Sequence, residues 1–263
     1  MTLRSVIGNL WKKRKLLLRS VQVELRTQYA GTLIGLAWIV VGPLLLLALY
    51  TLVYAVIFEV RVPNFTRAEY IINVFSGLVL FLAFAQALAV SASSMTKDRK
   101  LLFSSFPAEF IPAKAVIVAY VMLIPATAFV VLGDVVFSKP SLTLLWVPVV
   151  GVMQLLFTIG LGMMFALATL AIRDINFVIQ YLVIALLIVT PIAYTPDMIP
   201  DRLRPLLYLN PLYYFVSANQ HLILLNRLPP VEEVVLGTLV TALFFLGGIW
   251  VFQRGRAVVA DFI

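Results

Sequence analysis

The sequence predicts an all-α polytopic membrane protein. Three observations lead there. Of 263 residues, 62% are hydrophobic and 12% charged, against about 45–50% and about 25% in soluble chains. The apolar residues fall in runs of about 20 or more, the length a helix needs to cross a hydrocarbon core. The charged residues gather in short segments between those runs. A soluble domain could not hide this much apolar surface, and in lipid a helix satisfies its own backbone.

The chain divides into residues 1–32, a cytoplasmic amphipathic interface helix, and residues 33–263, a six-span transmembrane domain. In the first part Leu3, Ile7, Leu10, Leu17, Val21 and Leu25 share one helical face, and Arg4, Lys12, Lys15, Arg19 and Arg26 gather on the other. Trp11 is placed as an interface anchor. Six basic residues through Arg19 interrupt the apolar stretches, and no small-residue cleavage site follows a hydrophobic block, so the segment does not read as a signal peptide. It is either a positive-inside anchor or a docking helix for a soluble partner.

The spans are expected at about 33–58, 71–95, 115–137, 142–172, 175–193 and 234–252. The first has no charge between Arg26 and Glu59, and the second carries only neutral polar groups such as Asn73, Ser76 and Gln86. Gly31 and Gly35, spaced Gly-x-x-x-Gly, suggest close helix packing at the entry to the first. Asp134, near the end of the third, reads as an outer-interface residue. The fourth run is 31 residues long, too long for an upright helix, so it tilts or begins outside the hydrocarbon near Pro148. Gly160 and Gly162 within it read as helix packing rather than a nucleotide site.

Residues 197–230 form an outer hairpin. Its part from Pro205 to Leu225 is about long enough to span but carries Asn210, Pro211, Ser217, Asn219, Gln220 and His221. The pattern fits a re-entrant or interfacial hairpin broken at Asn210-Pro211, where protein rather than lipid covers the backbone. A seventh span is the alternative.

Charge orients the chain. With six spans, one side holds residues 1–32, 96–114, Arg173-Asp174 and the carboxyl tail. It has fourteen Lys and Arg against five acids, net +9. The other side has six against seven, net −1. Basic residues accumulate in cytoplasmic loops, so both termini are expected in the cytoplasm. The overall +8 therefore fixes topology and does not signal nucleic acid.

Several chemistries are absent from the sequence. Zero cysteines and one histidine exclude disulfides, thiol nucleophiles and multi-histidine metal cages. No Gly-rich phosphate loop occurs. No paired carboxylates suited to hydrolysis occur, and the spans lack the mid-membrane carboxylate or histidine relays of ion-coupled transporters. A transporter built this way takes its energy from a separate motor on the basic face. Lys97, Asp98, Arg99 and Lys100, followed by Phe103 to Pro107, and the tight Arg173-Asp174 turn are the surfaces on which such a motor would push. For Asp174 the structural alternative is a helix N-cap on the fifth span.

In this order, these features resemble the permease subunits of type-2 ABC exporters, and within them those that export lipid-linked polysaccharides such as capsule, O-antigen or teichoic acid. The resemblance covers nearly the whole chain. It rests on the basic helix running into Arg26, Tyr29, Thr32, Leu33, Gly35, Trp38 and Pro43, on Arg173-Asp174-Ile175, and on Asn210-Pro211-Leu212. Where the family often has Gly-Pro-Leu-Trp, this chain reads Gly35-Leu36-Ala37-Trp38.

The resemblance implies a multi-pass subunit of the bacterial inner membrane with no catalysis of its own. Two copies would sit on two cytoplasmic ATPases that carry ATP and Mg. It implies docking through the amino-terminal helix and residues 96–107, with Arg173 and Asp174 near the same surface, and a pore between the copies whose exit the hairpins shape. It leaves open periplasmic or outer-membrane export components. Sugar rings stack on aromatic faces, which makes Trp38, Tyr50, Tyr54, Tyr181, Tyr194, Tyr208, Tyr213 and Tyr214 candidate pore residues; core packing or an interfacial belt is the alternative for each. Arg14, Arg19 and Arg26 are candidates for the anionic headgroup of a lipid carrier, or for ordinary anionic lipids. A drug, bacteriocin or lipid is the alternative cargo, and a membrane enzyme acting on a lipid carrier the alternative class.

Overall fold

A computed structural model describes residues 12–53, 66–104, 106–137, 141–194 and 198–255. Among them every regular element is helical: α1 (Arg14–Gln28), α2 (Trp38–Thr51), α3 (Arg67–Lys97), α4 (Arg99–Leu102), α5 (Phe110–Phe137), α6 (Val147–Ala171), α7 (Ile175–Val189), α8 (Arg204–Leu209), α9 (Pro211–Ile223) and α10 (Val231–Arg254). Residues 1–11 and 54–65 lie outside the described residues. The expected faces of Leu3, Ile7 and Leu10, the Trp11 anchor and the end of the first span therefore lie outside them too.

Among the described residues, four helices are long and apolar enough to cross a membrane: α3, α5, α6 with the 3-10 turn before it, and α10. They coincide with the second, third, fourth and sixth expected spans. The shorter apolar helices are Gly35–Thr51, a 3-10 turn running into α2, and α7.

The bundle is built around α3. It is 31 residues long, about 46 Å at 1.5 Å per residue. A capping box starts it: Glu69 N–H donates to Thr66 Oγ1 at 3.2 Å, and Thr66 N–H donates to Glu69 Oε2 at 2.8 Å. Its most apolar stretch is 72% buried, against 22% in α10, so α3 is central and α10 peripheral. It packs most extensively on α5 and α6, and α6 on α10. Phe84, Phe157 and Phe215 interlock at the centre, with Phe157 5.9 Å from Phe84 and 5.4 Å from Phe215.

Buried polar groups tie the long helices together. Gln154 Nε2 donates to Leu80 O at 3.1 Å, Asn219 Nδ2 to Ser76 O at 2.8 Å, and Tyr120 and Thr158 share a hydrogen bond at 2.8 Å. Thr169 also bonds to Ala92 O. Such pairs satisfy side chains that lipid cannot. Gly160 of α6 meets Gly248 of α10 backbone to backbone; a Cβ on either would run into the other helix's main chain.

The structure selects one alternative for the fourth run, a helix that begins near Pro148, and changes two other local expectations. The fourth run does not helix uniformly: a 3-10 turn covers Leu142–Trp146, and α6 then starts with Pro148 in its first turn. There the missing N–H costs nothing. Gly31 and Gly35 do not sit on a packed helix. They lie in the connection from α1 to α2 with φ of +82° and +53°, and a Cβ there would meet nothing within 4 Å. Backbone handedness explains these glycines, not helix approach. Asp134 is buried in protein rather than sitting at an exposed interface.

Candidate functional site

The basic end of the bundle collects the ends of α1, α3, α6 and α10 with the start of α5. Its centre is Lys114, whose side chain is 6% exposed. The Nζ donates to Glu24 Oε2 on α1 at 3.0 Å and to Asp98 Oδ2, just past α3, at 2.7 Å. A buried ammonium is stable only with such partners. The same corner buries Val21 against Val118 and Met122, with Leu25 and Tyr29 packed alongside. Burial pushes the Tyr29 phenol above its ordinary value. Arg19 and Arg26 project from the face of α1 away from Val21, and Arg14, two turns before Val21, is exposed.

The docking candidates fall into two places. Arg99 and Arg173 come from segments 74 positions apart in the chain and line one cavity of about 330 Å³ with Thr96, Leu170 and Asn176. Lys97 and Asp98 line a different cavity beside Glu24 and Lys114. Lys100, Arg173 and Asp174 are exposed. The turn between α6 and α7 is as tight as expected: α6 ends at Ala171, Ile172 is extended, and α7 starts at Ile175. Asp174 holds the N-cap position of α7, but its side chain makes no capping bond. Its backbone carbonyl accepts from Phe177 N–H at 3.0 Å. At the edge of this end the Arg254 guanidinium lies 4.5 Å over the Trp250 ring.

The opposite end carries the broken hairpin. Asn210 is extended, its Oδ1 accepts from Leu212 N–H at 3.0 Å, and Pro211 follows as the first residue of α9. This is an N-cap followed by the one helix position that favours proline. Asn210 Nδ2 also donates to Thr190 Oγ1 at 2.8 Å, and Gln220 Nε2 to Pro191 O and Ile192 O at 3.3 Å. The hairpin thus grips the end of α7. Tyr213 OH and Ser217 Oγ donate to the two oxygens of Glu233 at 2.9 and 2.8 Å.

The candidate aromatics do not converge on one lining. Tyr213 and Tyr214 are buried, 4% and 6% exposed, and stack edge-on behind Tyr208 at 5.4 and 5.5 Å. Tyr194 turns its hydroxyl onto Ile188 O and Val189 O at 3.1 and 2.8 Å, closing the end of α7. Tyr50 is half-buried, and Tyr54 lies outside the described residues. Trp38, Tyr181 and Tyr208 keep exposed rings, Tyr181 at 74%. Of α7 only Ile179 is buried.

Sequence reasoning missed Lys114, Glu24 and Glu233. The signal for the first two was present: Glu24 is the lone acid of residues 1–32, and Lys114 directly precedes an apolar run. Among the described residues no cluster of three or more His, Asp or Glu could hold a metal.

Residues 16–224 match the family described as ABC-2 type transporter. The chain is 27% identical to the O-antigen export system permease protein RfbA of Myxococcus xanthus over 98% of this chain and 99% of that one. It is 25% identical to a protein of the same name from Klebsiella pneumoniae, over 76% of each chain.

Proposed function

The chain belongs to the ABC-2 type transporter membrane family, and from that premise we propose that it is the membrane subunit of an ATP-driven exporter of lipid-linked polysaccharide. It is a multi-pass membrane protein with a transport role. The observation that carries the cargo reading is the alignment, along nearly the whole of both chains, with a relative named as an O-antigen export permease.

In this reading α2 and α7 join the four long helices to make six spans. At 15 residues α7 is about 22 Å long, short of a core of about 30 Å. The segment from Thr190 to Tyr194, held by Asn210, Gln220 and the Tyr70 hydroxyl on Ala193 O at 3.1 Å, makes up the difference as a protein-covered, re-entrant arrangement. The basic end faces the cytoplasm, with α1 as an amphipathic interface helix. A pair of ATPases carrying ATP and Mg²⁺ docks there through acidic groups received by the Arg99–Arg173 cavity. A second copy covers the α7 faces carrying Phe177, Tyr181 and Ile184, and the polymer passes between the copies.

The test is reconstitution with a separately produced ATPase. ATPase activity stimulated by the lipid-linked polymer, and polymer accumulating inside cells that lack the chain, support the reading. Transport driven by an ion gradient without the ATPase, or drug sensitivity with normal polymer export, overturns it.

A further inference from the structure

The corner built on Lys114 holds more than a brace. A cavity of about 370 Å³ lies between α1, α3 and α5, and Glu24, Gln28, Ser94, Lys97, Asp98 and Lys114 form its polar wall. A second cavity of about 350 Å³ runs on toward α2 with an apolar wall that includes Trp38, Pro43, Leu46, Leu82 and Leu123. Gln86 and Met122 line both, so the two meet there. A polar chamber opening into an apolar groove is the shape of a headgroup followed by an acyl chain.

We propose that this cleft binds a phospholipid whose headgroup carries a primary ammonium beside its phosphate, as phosphatidylethanolamine does. The charges decide the class. The polar wall holds two carboxylates, Glu24 and Asp98, and two ammonium groups, Lys97 and Lys114, so it is neutral overall and carries both signs. Lys114 occupies one oxygen of each carboxylate, Oε2 and Oδ2. A carboxylate has two oxygens and about four lone-pair sites, which leaves the outer oxygen of each for a second N–H donor. A primary ammonium supplies that donor by charge-assisted hydrogen bonds; a quaternary ammonium has no N–H to give. Exposed Lys97 meets the phosphate. A purely anionic head, whether a glycerol phosphate or a carrier diphosphate, would meet Lys97 but bring no ammonium donor to the outer oxygens of Glu24 and Asp98 and would add negative charge beside them. The site rests on the membrane placement proposed above and is independent of the cargo.

The experiment is native mass spectrometry of the delipidated full chain offered, in equal amounts, phosphatidylethanolamine, phosphatidylcholine, phosphatidylglycerol and undecaprenyl diphosphate. The wild-type chain retains phosphatidylethanolamine at least tenfold over each of the others. Glu24→Gln reduces that preference to the phosphatidylcholine level. Gly42 also lines the groove, and a Cβ there meets nothing within 4 Å, so Gly42→Leu fills the groove away from the ion pairs and lowers retention of every diacyl lipid. Thermal melting of each variant reports folding. Equal or greater retention of phosphatidylglycerol or the diphosphate by the wild-type chain overturns the site whatever the variants do, as does undiminished phosphatidylethanolamine in folded Gly42→Leu. Either result leaves the export reading intact, and failure to couple to an ATPase leaves this site intact.

Discussion

Lys114 and Glu24, ninety positions apart, meet at 3.0 Å with the ammonium almost fully buried and the carboxylate partly exposed. Together with Asp98 they bind the amino-terminal helix to the bundle at the end where a motor is expected. Lys114→Met removes the ammonium and leaves two carboxylates facing each other. The expected loss is about 1.5–3 kcal/mol, the range for charge-assisted hydrogen bonds. Amide hydrogen exchange over Arg14–Gln28 should quicken more than exchange in α3 or α6. Unchanged exchange in α1 would show that Val21 and Leu25 hold it alone.

Arg99→Glu with Arg173→Glu should weaken ATPase binding at least tenfold, about 1.4 kcal/mol. Lys100→Glu, which lies outside that cavity, should cost less. Binding measured by titration at two salt concentrations checks this, because a charge-led contact also weakens with salt. If the double variant binds as the wild type does, the cavity is not the docking point.

Tyr213→Ala and Tyr214→Ala should destabilise the fold rather than act on cargo. Both rings are buried, and truncating a buried aromatic costs about 3–5 kcal/mol. Tyr208→Ala and Tyr181→Ala, which remove exposed rings, should leave melting nearly unchanged and slow polymer export. Wild-type export rates in both would remove stacking on these rings from the mechanism.

Gly160→Val should prevent α6 and α10 from approaching. The added side chain meets the main chain of Phe244 and Phe245, which cannot rotate away as a side chain can, so the cost exceeds the usual overpacking of about 1–3 kcal/mol. Gly151→Ala, in open space on the same helix, serves as the control and should melt as the wild type or slightly higher. Equal melting of Gly160→Val and wild type would contradict the contact.

What could be read from the sequence was what is local. The break at Asn210-Pro211 was legible because an N-cap and a proline at the first helical position are decided by adjacent residues. The four long helices and the tight Arg173-Asp174 turn were legible from apolar length and charge alone. The Lys114 cluster was not, because its partners come from 16 and 90 positions away and only packing brings them together. The tyrosines were read as one group, and nothing in their spacing separates the buried Tyr213 and Tyr214 from the exposed Tyr181. Gly31 and Gly35 matched a packing motif by spacing, while their positive φ is a property of the turn.

The sparse anchoring of α7 has a mechanical consequence. The helix begins three residues after the extended Ile172, fully buries only Ile179 along its length, and ends in the hydrogen bonds of Thr190, Asn210 and Tyr194. Between its ends Ile175, Val183 and Leu186 rest partly buried on the core, and most of the rest of its surface is bare in the single chain. An intact α-helix does not shorten without breaking hydrogen bonds, so if a motor displaces Arg173-Asp174 as proposed above, α7 would carry that displacement toward the Asn210 elbow about 22 Å away. In that proposed assembly α7 would be the pushrod, and the long helices its housing.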